Sequence, residues 1–363
     1  MRTASRPPLK IWVDMLTPKQ ILFFTPLIQH FEQQGHEVLA TSRRYREVNL
    51  LSAKKGLKIK FAGRHGGASL QEKLKASCER TEYLADMVGA MGLDCAVSFS
   101  SPECARTAFG LGVKHVCISD SPHAEKVSRL SIPLSDLLLT PWIIPYSAWS
   151  RYGILKDQII RYQALDPAVW LKRRQSKVVR KEDFGLNPSK KTITLRLDEI
   201  QAAYLLSSDR SFSRKLLDSL LQEFNGCEIF VLGRYQSQIE AFKETYGSKA
   251  KIADDVVEGA DLISVSDVFI GLGGTMTSEA ALLGVPAISL FQGGSLYTEE
   301  YLVKEGLLVR PGNIQATVKT VKTFLQDPDR LRNLQKKASV ILNSMEDPIT
   351  VIAGAIEKNA ASR

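Results

Sequence analysis

The chain is poor in the residues that usually organise metal sites and disulfide frameworks. Its five cysteines, at positions 78, 95, 104, 117 and 227, form no CxxC pair, and their number is odd. Histidine is equally scarce, with five in 363 residues. A disulfide scaffold or a structural zinc site is not expected; reduced, buried thiols in a cytosolic protein are. No apolar run reaches the roughly 18 residues that a membrane span needs. The opening MRTASRPPLK lacks an apolar segment, so it reads as a short basic tail rather than a secretory signal. Also missing are a Walker loop, a GxGxxG fingerprint, an acidic DxD-type pair at a strand end and any DNA- or RNA-binding motif. The reading is therefore no obligatory metal, no separate cofactor and no nucleic-acid partner.

What the chain has is ordinary globular composition, 44% hydrophobic and 24% charged, with a net charge of +9. The basic residues are scattered, apart from LKRRQSKVVRK at 171–181. Such a balance suits a phosphate-bearing small molecule, and leaves open a peripheral association with an anionic membrane at its inner face. At this length two domains are expected.

Short apolar runs alternate with amphipathic stretches. Strands are expected at 9–15, 36–42, 57–63, 94–100, 114–119, 136–141 and 159–163. Helices fall between them, at 18–35, 46–56, 69–92 and after Pro102. The basic, proline-containing stretch 165–191 breaks the rhythm and reads as a linker. The alternation restarts with strands at 192–197, 227–233, 249–253, 267–271 and 286–291. Helices are expected at about 210–225, about 235–246, through VVEGADLISVS, in two pieces over 313–344, and at 349–359. Strand–helix alternation means parallel sheets. The fold class is α/β, with two Rossmann-like domains, 1–165 and 166–344, facing across a cleft. The helical segment 345–363 is expected to pack back on the first. Ligands in such sheets lie at the carboxyl ends of the strands, where strand order switches.

The most informative stretch is GLGGTMTSEAALLG, 271–284. Gly271, Gly273 and Gly274 follow an apolar strand and lead into a helix. Glycine there allows positive φ and close backbone approach, and a helix start offers free N–H groups to a phosphate. Thr275, Thr277 and Ser278 add hydroxyls. Glu279 has no Ser or Thr three residues before it, so it is free to accept from a sugar hydroxyl. The plain alternative is a tight strand-to-helix turn. Arg196 and Arg234 end or follow strands of the same sheet and fit a diphosphate. Asp254–Asp255 reads as a helix cap at Val256. In the first half, Asp14 is a candidate general base or a helix cap. His123 is a candidate base oriented by Asp120. Lys19, Gln20, Ser100, Ser101 and Glu103 are candidate cleft residues, with a helix cap before Pro102 the plain alternative for Ser101. Arg64–His65–Gly66–Gly67 is either an ordinary turn or a place to meet an anion.

SEAALLGVPAISLFQ resembles a segment of GT-B fold glycosyltransferases, the peptidoglycan N-acetylglucosaminyltransferase type in particular. The wider pattern GG…EA…LG.P is also similar to hydrolysing UDP-N-acetylglucosamine 2-epimerases. The transferase resemblance implies Thr275, Met276 and Thr277 at a nucleotide diphosphate, Glu279 at the ribose and Gln292 near the donor sugar. IWVDMLTPKQILFF, RHGGAS, SDSPHA and GLGGTMTSEAALLG together identify the chain as a member of the domain of unknown function 354 family, itself similar to GT-B enzymes. GT-B transferases usually carry a glycine-rich loop after the first strand, and this chain does not. The implied activity is inverting, metal-independent glycosyl transfer from a UDP-sugar to an unknown acceptor. A 2-epimerase and a non-catalytic nucleotide-sugar binder are the alternatives.

Overall fold

The computed structural model describes residues 7–67, 69–174, 177–198, 211–254, 257–294 and 296–361. The chain divides into two units, Met1–Trp170 with Glu346–Arg363, and Leu171–Met345. The boundary falls beyond 165 because Asp166, Ala168 and Val169 are buried with the first unit.

The first unit is built on seven parallel strands: β1 (Lys10–Met15), β2 (Glu37–Arg44), β3 (Ile59–Arg64), β4 (Cys95–Ser98), β5 (Lys114–Ile118), β6 (Leu137–Pro141) and β7 (Ile159–Tyr162). Their order is β3-β2-β1-β4-β5-β6-β7. The second unit has six: β8 (Thr192–Arg196), β9 (Glu228–Leu232), β10 (Lys251–Ile252), β11 (Val268–Gly271), β12 (Ala287–Ser289) and β13 (Leu308–Val309). They run parallel in the order β10-β9-β8-β11-β12-β13. Strands covered on both faces need continuous apolar runs, which is what β1 and β11 show. Strand order reverses between β1 and β4 and again between β8 and β11, so each unit has one switch point.

Helix punctuation follows the sequence. The helix Pro18–Gln33 starts with proline in its first turn and buries Ile21, Phe23, Phe24, Leu27 and Phe31 against the sheet. Gly35 then takes a left-handed φ of 85°. Ser101 caps its helix by accepting from the Cys104 amide at 3.2 Å. The last helix, Pro348–Ala361, belongs to the first unit, where Lys114 Nζ donates to the Asn359 carbonyl at 2.7 Å. Among the described residues no helix is long and apolar enough to cross a membrane.

Some elements differ from expectation. β13 and the helix Tyr297–Lys304 were not foreseen, because two residues of strand carry no periodicity. The stretch read as linker holds the short helix Ala168–Leu171. The helix expected through VVEGADLISVS is confined to Gly259–Ser264. Asp255 and Val256, where a cap was expected, lie outside the described residues, as do residues 199–210.

At the switch point of the first sheet sits a buried ion pair. Asp14, with no solvent exposure, is gripped by Arg80 through Nη1–Oδ2 at 3.1 Å and Nη2–Oδ1 at 2.5 Å. Thr41 and Ser101 donate to the same carboxylate at 2.6 and 2.7 Å, and Trp12 Nε1 donates to Thr41 at 2.7 Å. Arg80 Nε also donates to the Ala62 carbonyl at 3.0 Å. This corrects the expectation that Asp14 is a catalytic base. Both its oxygens are taken and it faces no solvent, so it ties β1, β2 and two helices together.

A buried carboxylate stripped of its cation is left uncompensated. Arg80→Ala is expected to lower stability by about 3–5 kcal/mol. The Asp14→Asn, Arg80→Met double variant is expected to recover part of that loss, measured by chemical denaturation. Equal loss in both would mean that the uncompensated carboxylate is not what makes Arg80→Ala costly.

Candidate functional site

In the second unit the carboxyl ends of β9, β8, β11 and β12 gather the sequence candidates. β8 and β11 pair so that Arg196 lies beside Gly271, and Gly271 lies beside Ser289 on the other side. The chain leaves β11 with Gly273 at φ 99° and Gly274 at φ 100°, conformations an L side chain resists. A Cβ on Gly271 would stand 2.0 Å from Thr277 Oγ1, one on Gly273 2.7 Å from the Phe291 ring, and one on Gly274 2.8 Å from Arg234 Nη2. Each glycine therefore admits a different neighbour.

The helix Thr275–Leu282 begins at Gly274 with no side-chain cap. Its first amides have no intrahelical acceptor. Arg234 Nη2 donates to the Gly273 carbonyl at 2.7 Å and its Nε to the Leu197 carbonyl at 3.1 Å. Arg196 Nη1 donates to the Gly233 carbonyl at 2.6 Å. The Arg234 guanidinium thus lies against the glycine turn, the Arg196 guanidinium is held at the end of β9 next to Arg234, and the helix dipole at the turn has the same sign. Concentrated positive charge beside exposed amides is suited to a phosphate or diphosphate.

Not every predicted contact is available. The Thr277 hydroxyl is turned inward beneath Gly271 and is buried without a hydrogen-bond partner, so it does not face a ligand. The Met276 side chain packs with Leu186, Phe230 and Leu262, so its backbone amide is what it can offer. Glu279 is 3% exposed, with its carboxylate against Gly259. Gln292 is exposed beyond β12. A network that sequence reasoning missed stands beside it. Ser289 donates to Glu299 Oε1 at 2.8 Å, and Arg310 meets Glu299 Oε2 at 3.4 Å and the Phe291 carbonyl at 3.1 Å. Burial raises the Glu299 pKa, with Ser289 and Arg310 opposing. No motif signals this network; only the Ser289 position at a strand end does.

In the first unit the carboxyl ends of β1, β5 and β7 bring together Lys19, Asp120 and Asp166. Lys19 Nζ lies 2.5 Å from Asp120 Oδ2 and 2.7 Å from Asp166 Oδ2, and 4.2 Å from the centre of the Phe99 ring. Tyr162 donates to Asp166 Oδ1 at 2.6 Å and Ser121 to Asp120 Oδ1 at 2.7 Å. One cation thus serves two carboxylates in a poorly hydrated site. Burial, reinforced by the Asp120 charge, pushes Asp166 up to about 6 despite Lys19. Burial acts on Asp120 too, but Lys19 and Ser121 outweigh it and its pKa is lowered. The two carboxyls therefore differ in proton affinity, Asp166 keeping its proton to higher pH than Asp120. His123 is exposed beside them. Its pKa is lowered by partial desolvation, with Asp120 opposing and Lys19 reinforcing. Asp120 was expected to orient His123; its oxygens accept from Lys19 and Ser121, and its charge acts on His123 to oppose the lowering of that pKa. Asp166 was missed because it fell in the stretch read as linker. An acid just past a strand was the available signal.

Among the described residues no three His, Cys, Asp or Glu side chains converge as a metal ion would require. A surface cavity of about 520 Å³ lies at the other end of the second sheet, beside Lys181, Ser266, Asp267 and Pro286. There Asp267 is already neutralised by Lys181 and Lys191, each at 2.8 Å.

Two α/β units, each built on a parallel sheet, are the architecture of the GT-B class of folds. The chain belongs to the family described as "Protein of unknown function (DUF354)", whose model matches residues 9–360. A relative, the uncharacterized protein MJ0665 of Methanocaldococcus jannaschii, is 25% identical over 94% of this chain and 95% of its own. The solved UDP-GlcNAc 2-epimerase of Neisseria meningitidis, bound to UDP-GlcNAc, is similar in fold. Its TM-score is 0.74 at 14% identity, over 96% of this chain and all of that one. The glycosyltransferase SnogD of Streptomyces nogalater gives 0.60 at 15% identity, over 97% and 100%. At these identities the structures establish the fold.

Two outcomes follow. Gly271→Ala is expected to cost about 1–3 kcal/mol through overpacking on Thr277. The added Thr277→Ala should return most of that by removing the crowded hydroxyl, measured by thermal unfolding. Separately, the Asp166 carboxyl is expected to titrate near pH 6 in a carbon-13 NMR titration. Lys19→Met should move its midpoint upward, because the lost ammonium favoured the ionised form. The sign for stability is also set. A folded-state pKa above the ordinary 3.8 means that Asp166 loses stabilisation as pH rises through the window from 3.8 to about 6.

Proposed function

We propose that the protein binds a nucleotide-diphosphate sugar, a UDP-sugar in the first instance, at the glycine turn 271–275 and transfers its sugar to an acceptor. The observation that carries this reading is the strand–glycine–helix turn at the second switch point, with Arg234 against it and Arg196 next to Arg234. The diphosphate would take the amides of Thr275 and Met276 and the two guanidiniums. These would stabilise the departing charge without demanding a metal ion. Gln292 would meet the donor sugar, and Glu279, buried against Gly259, would reach the ribose only if ligand binding uncovered its carboxylate. Asp120, the more acidic carboxyl of the Lys19 cluster, would accept the acceptor's hydroxyl proton directly or through His123. The epimerase and transferase likenesses of the fold are compatible with this reading, and neither names the sugar.

The carboxylate pair favours a second reading. An acid and a base held by one lysine suit removal and return of a proton at a sugar carbon, the chemistry of an NDP-sugar 2-epimerase. The two readings separate in heavy water. With a UDP-sugar and no acceptor, an epimerase incorporates deuterium into the sugar; a transferase leaves it unlabelled and releases UDP only when an acceptor is added. Asp120→Asn is expected to lower either turnover by about 100-fold or more while leaving nucleotide binding intact. Neither labelling nor acceptor-dependent UDP release, across a panel of UDP-sugars and acceptors, would sink both readings.

A further inference from the structure

The RHGG motif, not used above, stands at the carboxyl ends of β2 and β3. The β2–β3 register shifts between Ser42 and Arg44, so Arg43 occupies an irregular position of the kind that re-aims a side chain. Arg43 Nε is buried without a hydrogen-bond partner, and among the described residues Arg43 forms no ion pair. The acids near it are already used. Asp14 is held by Arg80, and Glu103 accepts from Ser77 at 2.7 Å and lies 3.7 Å from Arg80. Gly66 packs directly on the helix Leu70–Val88; a Cβ there would stand 2.5 Å from Lys73 Cα. Glu72 on the same turn is half-buried and engaged with Lys75 at 3.2 Å and Arg64 at 3.8 Å.

His65 stacks on Tyr45, centroids 5.3 Å apart. Its Nδ1 accepts from the Gly67 amide at 3.0 Å. A neutral imidazole bonded in this way carries its proton on Nε2, and so presents a donor. Burial, with Arg43 and Lys73 adding like charge, pushes the His65 pKa down to about 4. Burial likewise lowers Arg43, with Glu103 opposing and Arg80 reinforcing. Glu79 is shown against Arg64, at 3.9 Å, and among the described residues no acid is shown paired with Arg43.

We propose that Arg43, His65 Nε2–H and Lys73 form an oxyanion site in the first unit, taking the phosphate or carboxylate group of a small molecule. Arg43 supplies a planar donor fork, His65 a neutral donor and Lys73 a charge. The site itself does not depend on the nucleotide reading. Its extension does: if the first unit receives the acceptor, that acceptor is anionic.

The test uses nitrogen-15 histidine NMR of the intact, nucleotide-free protein, with His65 assigned by the loss of its signal in His65→Gln. The probes are inorganic phosphate and acetate. A bound oxyanion should shift the His65 resonances saturably and raise its midpoint from about 4 by about one unit or more. Arg43→Gln should raise the midpoint without any anion, since a like charge is gone, and should abolish most of the response. Phosphate alone acting assigns a phosphate ester; acetate alone acting assigns a carboxylate. A His65 signal indifferent to both would overturn the site. Because no nucleotide is present, that failure would leave the nucleotide-sugar reading untouched, and failure of the nucleotide reading would leave this site standing.

Discussion

The helix Thr275–Leu282 starts where it does because Gly271 has no side chain. Thr277 occupies the space a Cβ would fill, bringing the helix start down onto the end of β11. From that one close approach the rest of the second unit's site follows. Gly273 and Gly274 must turn with positive φ to reach the helix. Gly273 then admits the Phe291 ring, and Gly274 admits Arg234. The result is a set of backbone donors and two arginines at the position where strand order reverses. A side chain at any of these three glycines would move one wall of the site.

The first unit answers the same topological question with charge instead of glycine. Its switch point is filled by Asp14 and Arg80, a pair with no exposure that joins β1, β2 and the helices behind them. Such a pair is costly to bury and costly to break. It leaves the neighbouring strand ends to carry groups that are less fully satisfied. On one side, Lys19 is shared between Asp120 and Asp166, which separates their proton affinities. On the other, Arg43 stands without an acid of its own. A saturated core ion pair flanked by two unsaturated charge clusters is an arrangement suited to ligands, since anions and protons are what each cluster lacks.

Much of this was legible before any coordinates. Apolar runs of strand length, proline at helix starts and glycine at helix ends pointed to the parallel sheets, and the glycine–threonine stretch pointed to the second unit's candidate site. Arg196 and Arg234 were proposed for it from their place at strand ends. What was not legible has a common cause. Asp14 reads as a general base or a helix cap until Arg80, 66 residues away, is seen to hold it. Thr277 reads as a ligand hydroxyl because sequence does not tell which face of a helix start turns inward. Asp166, Glu299 and Arg310 act through partners on other elements, and pairing across elements leaves no local pattern. β13 is too short to show a period.

The most direct test is titration calorimetry of UDP with the wild-type protein and with Arg234→Gln. The account predicts saturable binding by the wild type. It predicts an affinity lower by about 10-fold or more in the variant, the loss of a hydrogen bond to a charged group. Absence of UDP binding by the wild type, or equal binding by both proteins, would contradict the assignment of the glycine turn as the nucleotide site.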